Sequence, residues 1–283
     1  MVSRRCIRGV TRELEIALAA DRAMRRRAAL EVIAVTGGLA VRHPDLHDVH
    51  YLNALLFDAG LCGVDGTAAA ALAERHLGDL GHRHVVFDDA DAGERAGAEL
   101  EDAGWERGRT VYMAFAGDAA AVDRDARARP VSAAEMDALQ LANLREESPE
   151  AHARAGVAVR LLDAQRRLRA TTPSRCFGAG EPSEELASMA TLFLDSDVHG
   201  RRVATITEVA TRVAHRERGL GRAVVGAALA HASGWGADLI VVGADADDWP
   251  QLMYTALGFA PLGRQVTLTR RVRAPSGSVS GGV

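Results

Sequence analysis

The sequence predicts a mixed α/β protein of two units, each a sheet with helices packed on its faces. Three observations carry this. The chain has 283 residues, 48% of them apolar and 25% charged, which fits a soluble globular protein with room for two ordinary domains of roughly 100 to 200 residues. Short β-branched runs alternate with helical segments along its length. A helix that ends at glycine, continues through an aromatic residue and enters a strand occurs twice, at Ala103-Gly104-Trp105 and at Leu257-Gly258-Phe259.

The elements follow in order. Thr11 to about Ala29 has helical periodicity, with Arg25, Arg26 and Arg27 expected on a solvated face. Leu30 to Val35 is an apolar segment ending at the Gly37-Gly38 turn, and Leu39 to Val41 and Tyr51 to Phe57 read as further strands. Thr67 to Leu80 is an alanine-rich helix, His84 to Phe87 a short strand, Ala92 to Ala103 a helix and Arg109 to Phe115 a strand. Ala116 to Pro130 alternates Ala, Asp and Arg and closes at proline, so it reads as an exposed connection. Ser132 and Glu135 then form a capping box ahead of Met136 and Leu139. A further helix is expected over Ala151 to Ala170, a loop over Gly178 to Ser183, and strands over Leu186 to Asp195 and Arg202 to Val213, joined by a turn at Asp197 to Gly200. This organisation gives domains at 1–120 and 131–273, a linker at 121–130 and a Pro/Ser/Gly-rich tail at 274–283 that should be mobile.

Charge and composition exclude several functions. The net charge is −4, so nothing global favours nucleic acid or an anionic membrane, and neither is expected as a partner. All 34 basic residues are arginine, which rules out a lysine Schiff base and the lysine of a Walker A loop. Cys6, Cys62 and Cys176 are odd in number and lack any CxxC pairing, as expected of unpaired thiols in a reducing compartment. No run approaches the roughly 18 apolar residues of a membrane span, and the expected location is the cytoplasm. His43, His47 and His50 with Asp45 and Asp48 suggest a metal set, but Pro44 interrupts the spacing and no HExxH occurs, so no metal is expected. His82 and His84 share one face of their strand and read equally well as surface histidines.

The stretch from Glu208 to Phe259 carries the chemistry. A β-branched strand over Thr205 to Val213 runs into His215-Arg216-Glu217-Arg218-Gly219-Leu220-Gly221-Arg222, and a helix follows with Leu220, Val224, Val225, Ala228 and Leu229 on one face. Glycines at the entrance of a helix let backbone N–H groups converge on an anion at the positive end of the dipole. Arg216, Arg218 and Arg222 surround the same spot, which suits a pyrophosphate. Leu239 to Val242 is an apolar run for a strand buried on both faces. Asp245-Ala246-Asp247-Asp248-Trp249-Pro250 then starts a helix that contains Tyr254 and ends at Gly258-Phe259.

These parts in this order resemble the GNAT superfamily of N-acetyltransferases: a strand, Arg216-x-x-Gly219-x-Gly221 opening a helix, a buried strand, then Tyr254-x-x-x-Gly258-Phe259. The resemblance covers about Val131 to Arg273, and the N-terminal half looks like a degenerate copy. It implies two GNAT-like units, each a mixed, mostly antiparallel sheet flanked by helices. It further implies acetyl-CoA as acyl donor, with backbone amides from Glu217 through Arg218, Gly219, Leu220 and Gly221 to Arg222 holding the pyrophosphate, and Thr211, Arg212 and Val213 pairing with pantetheine. Tyr254 matches the residue that protonates the leaving thiolate; packing beside Phe259 is the other reading. Asp247 stands where many members carry asparagine and could accept a hydrogen bond from pantetheine. Glu208 is the candidate base, its alternatives being a pair with Arg212 or a solvent-facing position, and His215 is expected to shape the turn. The expected reaction is acetyl transfer to a primary amine of a small molecule by direct attack. A non-catalytic CoA-binding module and a transferase of longer acyl groups are the alternatives.

Overall fold

The computed structural model describes residues 11–59, 64–118, 122, 125–154, 156–181 and 184–272. Cys6, Cys62, the tail at 274–283 and part of the 121–130 connection lie outside them. In chain order the elements are α1 (Arg12–Ala28), β1 (Glu31–Val35), β2 (Gly38–Arg42), β3 (Ala54–Phe57), α2 (Gly66–Leu77), β4 (His82–Phe87), α3 (Ala90–Leu100) and β5 (Glu106–Phe115). They continue as β6 (Ala128–Val131), α4 (Ala133–Glu147), α5 (Pro149–Ala153), α6 (Val157–Thr171), β7 (Ser174–Ala179), β8 (Ser188–Val198), β9 (Arg201–Thr211), α7 (Leu220–Trp235), β10 (Leu239–Asp245), α8 (Pro250–Ala256) and β11 (Phe259–Arg271).

Most boundaries follow the hydrophobic pattern and its punctuation. The capping box at α4 is complete, with Glu135 N donating to Ser132 Oγ and Ser132 N donating to Glu135. Four segments differ. Ala128–Val131 is a strand paired with β7 from Ala128–Ala179 to Val131–Cys176, not exposed connection; its Arg-Pro content hid an edge strand, where proline is tolerated. The helix expected over Ala151 to Ala170 is broken between α5 and α6, where Gly156 takes the left-handed φ of 75°. The first residues of the expected loop at Gly178 to Ser183 belong to β7. Arg25 does not lie on a solvated face: it is buried and ion-paired with Asp21 at 2.8 Å.

The chain folds into two compact units. One comprises Ala29–Gly108 with the chain from Gln265 onward. In it β1, β2 and β3 pair antiparallel, β3 pairs parallel with β4, and β4 pairs antiparallel with the Val266–Arg271 stretch of β11. Leu55, Phe57, Leu77, Val85, Val266 and Leu268 form its core under α2 and α3. The other comprises α1 with Arg109–Arg264. There β5 pairs antiparallel with β10, β10 parallel with β9, and β8, β7 and β6 follow antiparallel. Helix α7 packs on one face of this sheet through Val224, Val225 and Leu229, and α1 covers the other through Leu14, Ile16 and Leu18 against Tyr112, Val203 and Val241. Each unit is a mixed, mostly antiparallel sheet flanked by helices.

This division is not the sequential one drawn at 121–130. The two repeats share the order strand, helix, parallel strand, helix, strand, as β3-α2-β4-α3-β5 and β9-α7-β10-α8-β11. The last strand of each serves the unit of the other: β5 aligns Val111 with Ala244 of β10, and β11 aligns Val266 with Phe87 of β4. A fragment of residues 131–273 therefore lacks β5 and α1, leaving β10 without its antiparallel neighbour and the Val203–Val241 face uncovered. Expressed alone, that fragment is expected to bind a hydrophobic dye and melt without a cooperative transition, as read by dye fluorescence and near-UV circular dichroism.

Candidate active site

The site begins where two parallel strands part. Pairing between β9 and β10 runs from Val203–Leu239 to Ile206–Val242, while β9 continues to Thr211 and β10 to Asp245. Just beyond the last pair, β9 carries a bulge: Met189 and Thr191 of β8 face Ala210 and Thr207, so one extra residue is accommodated on β9. Glu208 takes it up with φ of 54°, a left-handed conformation rare outside glycine and typical of strained bulges. The bulge changes which side chains point where. Ala204 and Ile206 face α7, and after the bulge Val209 does so while Ala210 packs with Met136 and Leu139. Strict alternation would have put Glu208 among the apolar side chains beneath α7. The bulge turns it to the face covered by α4 and α6 instead.

Past β9 the chain makes a short turn and enters α7. Gly219 is the N-cap with φ of 79°, no side chain caps the helix, and Glu217 also has positive φ, at 64°. The first amides of α7 are thus left for a ligand at the positive end of its dipole. Gly221 keeps the floor low: a Cβ there would lie 3.4 Å from Thr211 Oγ1 and 3.5 Å from Met253 Sδ. The cleft at this point has a volume of about 690 Å³ and is walled by Val209, Ala210 and Thr211 of β9, by Arg216, Glu217 and the Gly219 to Arg222 turn, by Glu147 of α4 and by Trp249, Met253 and Tyr254. Two of its arginines, Arg216 and Arg222, stand in the loop and first turn, while Arg218, also expected at the site, is not on its wall. Arg216 pairs with Glu147 and donates Nε to the Thr211 carbonyl at 3.2 Å, Arg218 donates to Ala214 O at 3.3 Å, and Arg222 donates to Ala256 O at 3.4 Å. Another depression of about 670 Å³ lies between α4 and the 180–186 loop, but its arginines are taken up by Glu135, Glu146, Glu181 and Asp125.

Tyr254 is 4% exposed, stacks edge-on against Phe259 with centroids 5.7 Å apart, and still lines the cleft. The packing beside Phe259 is present, and the same side chain borders the cleft. Burial pushes its phenol up to about 12, so it stays protonated across the working range of pH. Glu208, by contrast, is not on the cleft wall. Its side chain is 13% exposed and is held by Thr191 and Gln140, and burial raises its carboxyl above the ordinary value. It neither pairs with Arg212 nor faces solvent.

Other expected binding residues fare differently. Thr211, Arg216, Glu217, Gly219, Leu220, Gly221 and Arg222 line the cleft. Arg212 instead donates Nε to Glu146 at 2.8 Å, and the Val213 amide is taken by the same carboxylate at 2.9 Å. Asp247 is also displaced, its side chain 77% exposed and 3.9 Å from Arg109, while its neighbour Asp248 lines the cleft. Sequence reasoning missed Glu146 and Glu147 altogether, because nothing in a helix marks which acids will meet a loop 66 residues or more downstream. Removing Glu146 leaves the Val213 amide and Arg212 without their acceptor. Glu146→Ala is expected to lower stability by about 1–2 kcal/mol and to speed amide exchange at Val213, measured by hydrogen exchange.

The histidines do not gather as a metal set. His43 is buried, with its backbone N–H donating to Asn53 Oδ1 at 2.9 Å, and among the described residues no group of three or more His, Cys, Asp or Glu side chains is arranged to hold a metal ion. His50 instead packs against His82 and His84, with ring centroids at 4.1 and 5.4 Å. His82 is 3% exposed rather than a surface residue. Burial first, then His50 and Arg83, push its imidazole down to about 4 against the pull of the Asn53 carbonyl and Asp48. The unfolded chain takes up that proton near pH ~6.5 and the folded chain does not. Stability is therefore expected to be full above that pH and to fall, by up to roughly 3 kcal/mol, as pH drops towards 4. Denaturant titrations at several pH values should show this slope, and His82→Asn should flatten it.

Comparison with known proteins agrees with this geometry. Residues 138–259 match the acetyltransferase (GNAT) family. A functionally unknown conserved protein from Staphylococcus epidermidis ATCC 12228 is 13% identical over 86% of this chain and 94% of that one, with a TM-score of 0.66. A GCN5-related N-acetyltransferase from Kribbella flavida is 18% identical over 95% of this chain and 98% of that one, with a TM-score of 0.58. A GCN5-related N-acetyltransferase from Sphaerobacter thermophilus is 16% identical over 74% of this chain and 68% of that one, with a TM-score of 0.50. At these identities the likeness is one of fold, and it extends to the N-terminal half. No curated protein matches. Residues 138–259 of this chain form an acetyltransferase domain of the GNAT family.

Proposed function

We propose that the unit containing α7 transfers an acetyl group from acetyl-CoA to a primary amine of a small molecule by direct attack. The observation that carries this reading is the cleft itself. One end offers the uncapped N-terminus of α7 with Arg216 and Arg222 beside it, and the same wall holds a buried phenol. The first suits a pyrophosphate and the second a leaving thiolate. Between them lies the edge of β9 from Val209 to Thr211, freed by the parting of the strands, along which an extended pantetheine could lie. The thioester supplies the activated acyl group; the chain supplies position and proton control.

Tyr254 acts by hydrogen bonding. A phenol raised to about 12 cannot hand its proton outright to a thiolate whose conjugate acid has a pKa near ~8.5. It can stabilise the charge that develops on sulfur as the C–S bond breaks. An ammonium acceptor must lose a proton before it can attack, and Glu208 is the group with a raised carboxyl near the parting strands. Since it is off the cleft wall, it accepts that proton through water. No cysteine is needed, and Cys176 is buried with its thiol pushed up by burial. Among the described residues no helix is long and apolar enough to cross a membrane, and the unpaired thiol suits a reducing cytoplasm.

Calorimetric titration with acetyl-CoA and desulfo-CoA tests the reading. The wild type is expected to bind both, and Gly221→Glu, which puts a charged side chain over the α7 amides, to bind neither. Tyr254→Phe is expected to keep the affinity and to release thiol about 10²-fold more slowly across a panel of amines. Because the phenol ionises only near 12, no alkaline loss of rate from Tyr254 should occur below about pH 11. Absence of acetyl-CoA binding by the wild type would remove the acetyltransferase reading, and unchanged turnover in Tyr254→Phe would remove Tyr254 from it.

A further inference from the structure

Glu208 is gripped by side chains from two neighbouring elements. Gln140 of α4 donates Nε2 to Glu208 Oε1 at 2.7 Å, and Thr191 of β8 donates Oγ1 to Oε2 at 2.6 Å. Behind Gln140, Arg169 of α6 donates to its Oε1 at 3.2 Å and to Asp137 at 2.5 Å, and Asp137 also accepts from Arg166 at 2.8 Å. This order fixes which way the Gln140 amide points. A guanidinium has only donors, so the amide oxygen must face Arg169 and the NH2 must face Glu208. The Arg169 side chain is 8% exposed and stands 4.0 Å from Glu208. The other titratable groups around the carboxylate are Asp137 on α4 and Cys176 on β7.

We infer that Gln140 is a positioning residue for proton removal, oriented by the Arg169–Asp137 pair so that its NH2 holds the Glu208 carboxylate in its charged form. This rests on Glu208 being the base of the proposed reaction. Burial on the α4 face favours the protonated carboxyl, and that form cannot accept a proton from an ammonium. The hydrogen bond from Thr191, then the charge of Arg169 at 4.0 Å, then the hydrogen bond from Gln140 oppose that penalty, and the fixed amide also sets the direction in which the remaining lone pairs of Glu208 face. The bulge and the helix therefore act together: the strand delivers the carboxylate to α4, and Gln140 of α4 donates to it.

The test is a direct titration of Glu208 by carbon NMR in protein labelled at the glutamate carboxyl carbon, its resonance identified by its loss in Glu208→Gln. Gln140→Met keeps side-chain length without the donor, Gln140→Leu is the second variant should the first fold poorly, and Thr191→Val removes the other donor isosterically. Each is expected to raise the Glu208 pKa by roughly one pH unit. The acid limb of thiol release should move up in pH by the same amount, with acetyl-CoA affinity unchanged. A Glu208 titration that is the same in folded Gln140 variants as in the wild type overturns the inference and leaves the acetyltransferase reading standing. Wild-type turnover in Glu208→Gln, with acetyl-CoA still bound, shows instead that Glu208 is not the base, whatever Gln140 does to its pKa.

Discussion

The site depends on the parting of two parallel strands. β9 and β10 are hydrogen-bonded only as far as Ile206 and Val242, and everything chemical lies beyond that point. Parallel neighbours that separate expose backbone edges and open a wedge, and the helix connecting them must begin at its mouth, at the carboxyl end of the first strand. That is why the amides of α7 and the edge of β9 come to one place. The bulge at Glu208 belongs to the same event. By inserting one residue after the last β9–β10 pair it turns β9 about its axis, keeps Val209 over the α7 core and sends Glu208 to the opposite face.

The two repeats use the same connection to different ends. In the unit built on β3 and β4, the helix joining the parallel strands is α2, and its N-terminus is filled from within the protein. Asp65 accepts from Ala68 N at 2.7 Å and Glu99 accepts from Gly66 N at 2.7 Å. Two carboxylates stand where an anionic ligand would bind. At α7 the corresponding cap is Gly219, which offers no side chain, and no carboxylate caps the helix. One substitution class, acid against glycine at the helix entrance, is enough to make one copy self-satisfied and leave the other ready for a ligand.

Charge in this protein works at short range. A net charge of −4 gives no general attraction for a nucleotide-like substrate, and many of the described arginines are matched by acids close by. Arg212 and Arg216 are held by Glu146 and Glu147, so the C-terminal turn of α4 shapes the loop that leads into α7. The same helix, one to two turns earlier, holds Glu208 through Gln140. Helix α4 thus supports both the expected anion site and the expected base.

By itself the sequence determined the parts whose signals are local. Periodicity and capping located most elements, Gly219 and Gly221 marked the entrance of α7, and the motif with Tyr254 and Gly258-Phe259 identified the domain, because backbone conformation at glycine and the run of apolar positions are written in adjacent residues. The edge strand β6 and the break at Gly156 were obscured where Arg, Asp and Pro blur the period. What only the tertiary structure decided was non-local. Alternation along β9 would have left Glu208 with Ile206, and only the register against β8 shows the extra residue. Asp247 and Asp248 are indistinguishable in sequence, and one rotation of the chain put the second on the cleft wall. The exchange of β5 and β11 between the units is a choice of hydrogen-bonding partner among edges of equal chemistry, and that choice is made by packing across more than a hundred residues, where sequence pattern has no reach.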